Sequence, residues 1–142
     1  MKKLSILVAM AFVFFSCNDC QKEKNHTENL IELEGTSLIG RKAVLLYPEF
    51  KAEVSYLTDS TLHWKTILPD GTIDEGNEDA VIKKLNKHQF FLNWIEKDGT
   101  SISQIIELKD NSVFVFCTFA DEENPRGGRS SAVLEGSFEF VD

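Results

Sequence analysis

Glu96 stands two residues after Trp94 in the run Phe90-Phe91-Leu92-Asn93-Trp94-Ile95-Glu96, in which Phe90, Leu92 and Trp94 alternate with less apolar or outward positions. In an extended strand successive side chains point to opposite faces, so Glu96 shares the apolar face of Trp94. A carboxylate on such a face is costly unless paired or hydrogen-bonded, and its pKa rises. A raised pKa is what a general acid, or an acid that anchors a ligand, needs. The adjoining Asp98-Gly99 turn offers a plainer alternative, a carboxylate at a strand end that reaches solvent at the rim. The same alternation places Tyr47, Tyr56 and Gln104 inward despite their polarity. Trp64 and Trp94 either wall a pocket for a flat or apolar ligand or fill an ordinary core.

Other chemistry-bearing residues form no comparable constellation. His26, His63 and His88 lie far apart, and no Cys/His cluster has metal-ligand spacing, so no metal site and no cofactor are expected. Parity puts His63 on the outer face. Arg126 and Arg129 flank Gly127-Gly128 and would suit an anion, although solvated loop arginines are the commoner case. Asp74, Glu75, Glu78 and Asp79 read as an acidic loop without the alternating oxygen ligands of a calcium site. Of the cysteines, Cys20 lies in a polar stretch and Cys117 within a Val/Phe-rich one. They are expected to be free thiols, with Cys117 buried as a small hydrophobe.

The N-terminus carries a different signal. Met1-Lys2-Lys3, the apolar run 4–15, Ser16 and Cys17 describe a secretory leader with a small residue at the cut. The apolar run is too short to span a bilayer, which takes about 20 residues. A cysteine directly after the small residue resembles a bacterial lipoprotein signal, with Phe14 and Phe15 where such signals usually carry Leu and a small residue. The resemblance implies a signal peptide at residues 1–16 and a lipidated Cys17. Several acyl chains on one cysteine satisfy the two-signal requirement for stable anchoring. Residues 17–34 are polar and read as a flexible tether. The implied location is the bacterial cell envelope, on a membrane, with the outer membrane favoured and the domain facing the periplasm or the surface.

Removing residues 1–16 leaves 126 of 142 residues, enough for one domain with a proper core. The formal charge is −8, and losing Lys2 and Lys3 makes the mature chain more acidic still. That balance excludes nucleic acid as a partner, whose phosphates require a basic surface. It equally excludes electrostatic docking on anionic lipid, so membrane contact is expected through the anchor only.

The elements that must position the inward polar residues are strands. Short runs rich in β-branched and aromatic residues predict strands at 41–47, 52–57, 61–68, 80–85, 89–96, 101–108, 112–119 and 130–140. Turn signals such as Pro69-Asp70-Gly71 and Asp98-Gly99 separate them at the spacing of an all-β fold. Successive hairpins with one apolar and one polar face close into an up-and-down antiparallel barrel of about eight strands, spanning 35–142. Eight strands leave room for a filled core or one small ligand.

Thr61-Leu62-His63-Trp64-Lys65, an acidic Gly-containing segment, and then Asn93-Trp94-Ile95-Glu96-Lys97-Asp98-Gly99-Thr100 resemble the MoaF-like family over roughly residues 40–140. The resemblance implies a lipocalin-like, or calycin, β-barrel. The Trp-x-Glu hairpin also resembles that of the phenolic acid decarboxylases, where a glutamate acts in proton transfer beside tyrosines and an arginine. Glu96 matches the glutamate and Tyr47 one tyrosine, while Leu45 takes the place of the other. The arginine's region, 69–74, has no basic residue. Decarboxylation of phenolic acids is therefore not expected.

Three functions follow as expectations. The first is a small, largely apolar ligand bound without chemistry in a barrel cavity, with Trp64, Trp94, Tyr47, Tyr56, Glu96 and Gln104 lining it. The second is a lyase or isomerase using Glu96 as general acid/base beside Tyr47. The third is a filled barrel that acts as a protein-interaction module through an apolar patch on its outer wall.

Overall fold

The computed structural model describes residues 36–141, in which eight strands and no helix form. The strands are β1 (Lys42–Leu46), β2 (Lys51–Tyr56), β3 (Thr61–Ile67), β4 (Ile73–Lys84), β5 (Gln89–Ile95), β6 (Ser101–Glu107), β7 (Ser112–Ala120) and β8 (Arg129–Phe140). Each pairs antiparallel with the next, and β8 returns to β1 in the register Ala43↔Phe140 and Leu45↔Phe138, closing an up-and-down barrel. Closure gives every strand two neighbours, which removes free sheet edges over most of its length. The leader, Cys17 and the tether at 17–34 lie outside the described residues.

Alternation decides what the barrel contains. Leu45, Val54, Leu62, Leu92, Ile106, Val115 and Phe138 point inward and are buried, and each contributes roughly 1.5–3 kcal/mol by leaving water. Opposite them, Lys42, Val44, Glu53, His63, Lys65 and Glu107 face outward. Leu38, from the segment before β1, is buried in the same core. That segment is fixed by the Gly40 N–H donating to the Tyr56 carbonyl and by the Lys84 ammonium donating to the Thr36 carbonyl. It covers the end of the barrel at which β2 finishes and β3 begins. The opposite end, carrying the β1–β2, β3–β4, β5–β6 and β7–β8 connections, is the mouth.

One expectation about the elements is corrected. Residues 74–79, read as an acidic loop, form the first half of β4, which begins at Ile73 and not at Ala80. The tight Asp70-Gly71 turn, with Thr72 N–H donating to the Asp70 carboxylate, folds the chain straight back along β3. The pairing Thr66↔Asp74, Trp64↔Gly76 and Leu62↔Glu78 follows. Cross-strand pairing along the whole of β3, whose Leu62 and Trp64 share the inward face, overrides the weak strand propensity of Asp, Asn, Glu and Gly here. β5 covers only Ala80–Lys84 of β4, so the 73–79 half has a partner on one side alone. Its charges suit an uncovered edge.

Closure also needs one small residue. A Cβ on Gly136 would run into the Leu46 carbonyl oxygen and the Tyr47 ring. Glycine there lets β8 meet the end of β1 and leaves room for Tyr47.

Candidate functional site

The barrel interior contains a cavity of about 90 Å³ toward the mouth. Its lining is mostly apolar (Leu45, Val54, Ile102, Val115, Leu134 and others), with Trp64 and Trp94 on the wall. The polar groups that reach it are Tyr47, Thr66, Glu96 and Gln104. Gln104 lies in the middle of β6, paired with Leu92 on one side and Val115 on the other. Its side chain is 1% exposed, and neither its amide nitrogen nor its amide oxygen has a hydrogen-bond partner among the described residues. Buried side-chain amides are nearly always satisfied, because leaving one unpaired forfeits its hydration without return.

Glu96 is held by local chemistry. Gly99, at φ +85°, makes the turn after β5, the Glu96 N–H donates to the Thr100 carbonyl, and the Asp98 carboxylate accepts the Thr100 N–H. This returns the chain tightly into β6 and leaves Glu96 on the inward face, half-buried at the mouth. The Trp94 indole N–H donates to Glu96 Oε1 at 3.4 Å. Burial pushes the Glu96 carboxyl above its usual range. The Trp94 hydrogen bond pulls it back down, and the nearby carboxylates of Asp98, Glu78 and Asp74 push it up again.

A second Trp–Glu pair faces the first. Trp64 donates its indole N–H to Glu78 Oε1 at 3.4 Å across the β3–β4 hairpin. Gly76, opposite Trp64, makes the arrangement possible: a Cβ there would lie 3.0 Å from both Trp64 Nε1 and Glu78 Oε1. Between this half of β4 and the β5–β6 turn runs a surface cleft of about 750 Å³, lined by Trp64, Asp74, Glu78, Glu96, Lys97 and Asp98 among others. Trp64 and Glu96 line both the cleft and the inner cavity, so the two spaces adjoin at the mouth.

The structure brings five of the six sequence-derived ligand candidates to one cavity: Trp64, Trp94, Tyr47, Glu96 and Gln104. Tyr56 is elsewhere. It is inward and buried as parity requires, but it sits toward the covered end and does not line the cavity; its hydroxyl has no partner among the described residues. Tyr47 follows β1 directly and stacks on Phe50 at 4.7 Å between ring centroids. Burial pushes both phenols up, and in Tyr56 the charge of Tyr47 adds to it. Both therefore stay protonated donors at neutral pH.

The remaining candidates have other positions. His63 is on the outer wall, 3.9 Å from Glu75. Arg129, at the start of β8, donates from Nη2 to the Gly99 carbonyl and to the Thr118 carbonyl and hydroxyl, tying the β5–β6 turn to the end of β7. Cys117 is a buried free thiol. Cys20 lies outside the described residues. No group of three or more His, Cys, Asp or Glu side chains among the described residues is placed to hold a metal ion. Sequence reasoning missed Asp74 and Glu78 as mouth residues, and Gly76 as the space for Trp64. Extending the strand parity back from Ala80 through Glu78, Gly76 and Asp74 would have found them.

Comparison with known proteins agrees with this architecture. A crystal structure from Burkholderia vietnamiensis, described as a "putative beta-lactamase", superposes with a TM-score of 0.62 at 14% identity, covering 76% of this chain and 99% of that one. At that identity the likeness shows the fold alone. No curated protein matches the sequence. The MoaF-like family profile matches residues 39–128, from the segment before β1 to the loop before β8 and including both Trp–Glu pairs. The chain belongs to the MoaF-like family.

Proposed function

We propose that this protein is a lipid-anchored barrel of the bacterial cell envelope that binds a small, largely apolar molecule in its interior. The observation that carries the reading is the Gln104 amide, buried and without a protein partner on the wall of an otherwise apolar cavity. Ligand sites have this make-up: apolar walls with a few placed polar groups that fix orientation. Gln104 offers one donor and one acceptor to the inner end of a ligand, and Glu96 and Tyr47 offer polar contacts nearer the mouth. Trp64 and Trp94 supply flat walls.

The chain's two tryptophans both line this cavity, so its tryptophan emission reports on the site directly. Screening the full-length chain against a broad metabolite library should find compounds that change this emission and raise the melting temperature together. A library that moves neither removes the reading. The anchor rests on the Lys-rich start, the apolar run and Cys17. Metabolic labelling with a radioactive fatty acid should mark the wild type and not Cys17→Ala; label retained in that variant would refute the assignment.

One observation favours a second reading, in which Glu96 is the general acid/base of a lyase or isomerase. Glu96 and Tyr47 border the same cavity, with the carboxyl raised by burial and the phenol held protonated. Once a substrate is known, full turnover by Glu96→Gln would rule this reading out. The filled-barrel alternative receives no support from an interior with a cavity, although Phe114, Phe116 and Val133 do form an exposed apolar patch on the β7–β8 wall.

A further inference from the structure

We propose that the mouth of the cavity selects ligands carrying a positive charge, so that the ligand is a small organic cation: an apolar body with an ammonium group. This rests on the ligand-binding reading above and adds the chemical class of the ligand.

The cleft at the mouth has a strongly unequal charge. Asp74, Glu75 and Glu78 line it from β4, and Glu96 and Asp98 from the β5–β6 turn, with Lys97 as the one cation among its lining residues. Arg129 holds the Gly99 and Thr118 carbonyls outside the lining of the cleft, and its charge, felt by Asp98, leaves the carboxylates in excess. Two of the carboxylates are fixed in place: Glu78 by the Trp64 indole N–H and Glu96 by that of Trp94, each at 3.4 Å. An indole that donates through its edge keeps its ring face free, and that face attracts cations. At the cleft the Trp64–Glu78 pair therefore offers a negative oxygen beside an electron-rich ring, while the buried Trp94 lines the inner cavity.

The second, independent feature is the buried Gln104 amide on the wall of the adjoining cavity. A mere acidic rim needs no such group behind it. The inner cavity, at about 90 Å³, accommodates only part of a molecule, so a ligand that reaches Gln104 leaves its other end between the two Trp–Glu pairs. At that end an anion would meet five carboxylates, a neutral group would leave them repelling one another, and an ammonium would relieve the repulsion. The carboxylates are spread along a cleft that the Trp64 indole also lines, which suits a polyatomic cation.

Three probes with one ring and different head groups test this on the full-length chain: benzylamine, benzyl alcohol and benzoate, followed by tryptophan fluorescence at physiological ionic strength, where the charge of the rest of the protein is largely screened. Benzylamine should bind about tenfold more tightly than benzyl alcohol, the size expected of one cation–π contact with a partly exposed ion pair. Benzoate should bind more weakly than the alcohol. The double variant Glu78→Gln/Glu96→Gln should cut the amine's advantage over the alcohol to about threefold, the part left to the cation–π contact and the remaining carboxylates. If the alcohol or benzoate binds as well as the amine, or the double variant leaves the amine's advantage undiminished, the charge selection is wrong while the cavity stands. If none of the three binds, the ligand-binding reading falls and this proposal with it.

Discussion

Replacing Gln104 by methionine tests whether its amide is held ready for a ligand. Methionine keeps the length, unbranched shape and approximate volume, and it adapts to irregular core space. The substitution removes an amide that is 1% exposed and whose two polar atoms lack protein partners. A buried, unsatisfied polar group costs about 1–3 kcal/mol, and replacing it with an apolar group of like shape recovers much of that. Allowing for imperfect repacking, Gln104→Met should stabilise the ligand-free protein by about 1–2 kcal/mol. For a domain of this size that raises the melting temperature by roughly 5–10 °C. Leu62→Ala, at a fully buried core position, gives the scale for ordinary core damage, a loss of about 2–5 kcal/mol. The assay is a thermal or urea melt of both variants beside the wild type, with tryptophan fluorescence following ligand response. The expected pair of results is a more stable protein that binds its ligand more weakly. A melting temperature that falls toward that of Leu62→Ala would refute the reasoning, because it would mean that the amide holds the fold together.

The other predictions concern the mouth and the closure of the barrel. The folded-state pKa of Glu96 lies above its ordinary 4.5, so between those two values the native state binds more protons than the unfolded one, and stability from this group falls as pH rises through that window. Urea melts at a series of pH values should show that slope in the difference between wild type and Glu96→Gln, with the variant gaining at the upper end; a difference that does not change with pH would contradict it. Gly136→Ala forces a Cβ against the Leu46 carbonyl and the Tyr47 ring and should cost about 1–3 kcal/mol or more in a denaturant melt, as overpacking does. Gly76→Ala should shift Trp64 emission with a smaller loss of stability, since the atoms it meets belong to the Trp64 and Glu78 side chains and not to backbone; unchanged emission would show that Gly76 does not position the indole.

Much of this architecture was legible because alternation is a strong signal wherever one face is buried. Phe90, Leu92 and Trp94 on β5, or Ile102, Gln104 and Ile106 on β6, leave a single register that hides the apolar set. The same parity placed Glu96 and Gln104 inward. It failed at β4, because Asp74 to Asp79 carry no apolar residue to betray a strand; β3 and the Asp70-Gly71 turn determine that half of β4. Sequence also could not show that Tyr56 and Tyr47, both inward, sit at different depths, since depth is set by the stagger of strands around the barrel. The pairing of Trp64 with Glu78 depends on the empty side of Gly76, a cross-strand relation with no local signature.

The most direct test of the central claim is a two-dimensional NMR titration of the full-length protein with benzyl alcohol, a neutral probe that bypasses the question of charge. The Gln104 side-chain amide and the Trp64 and Trp94 indole N–H signals should move together along one binding curve, while the backbone amides of Phe114 and Val133 on the outer wall stay still. Movement on the outer wall with the three interior signals unmoved, or no movement up to the solubility of the probe, would contradict it.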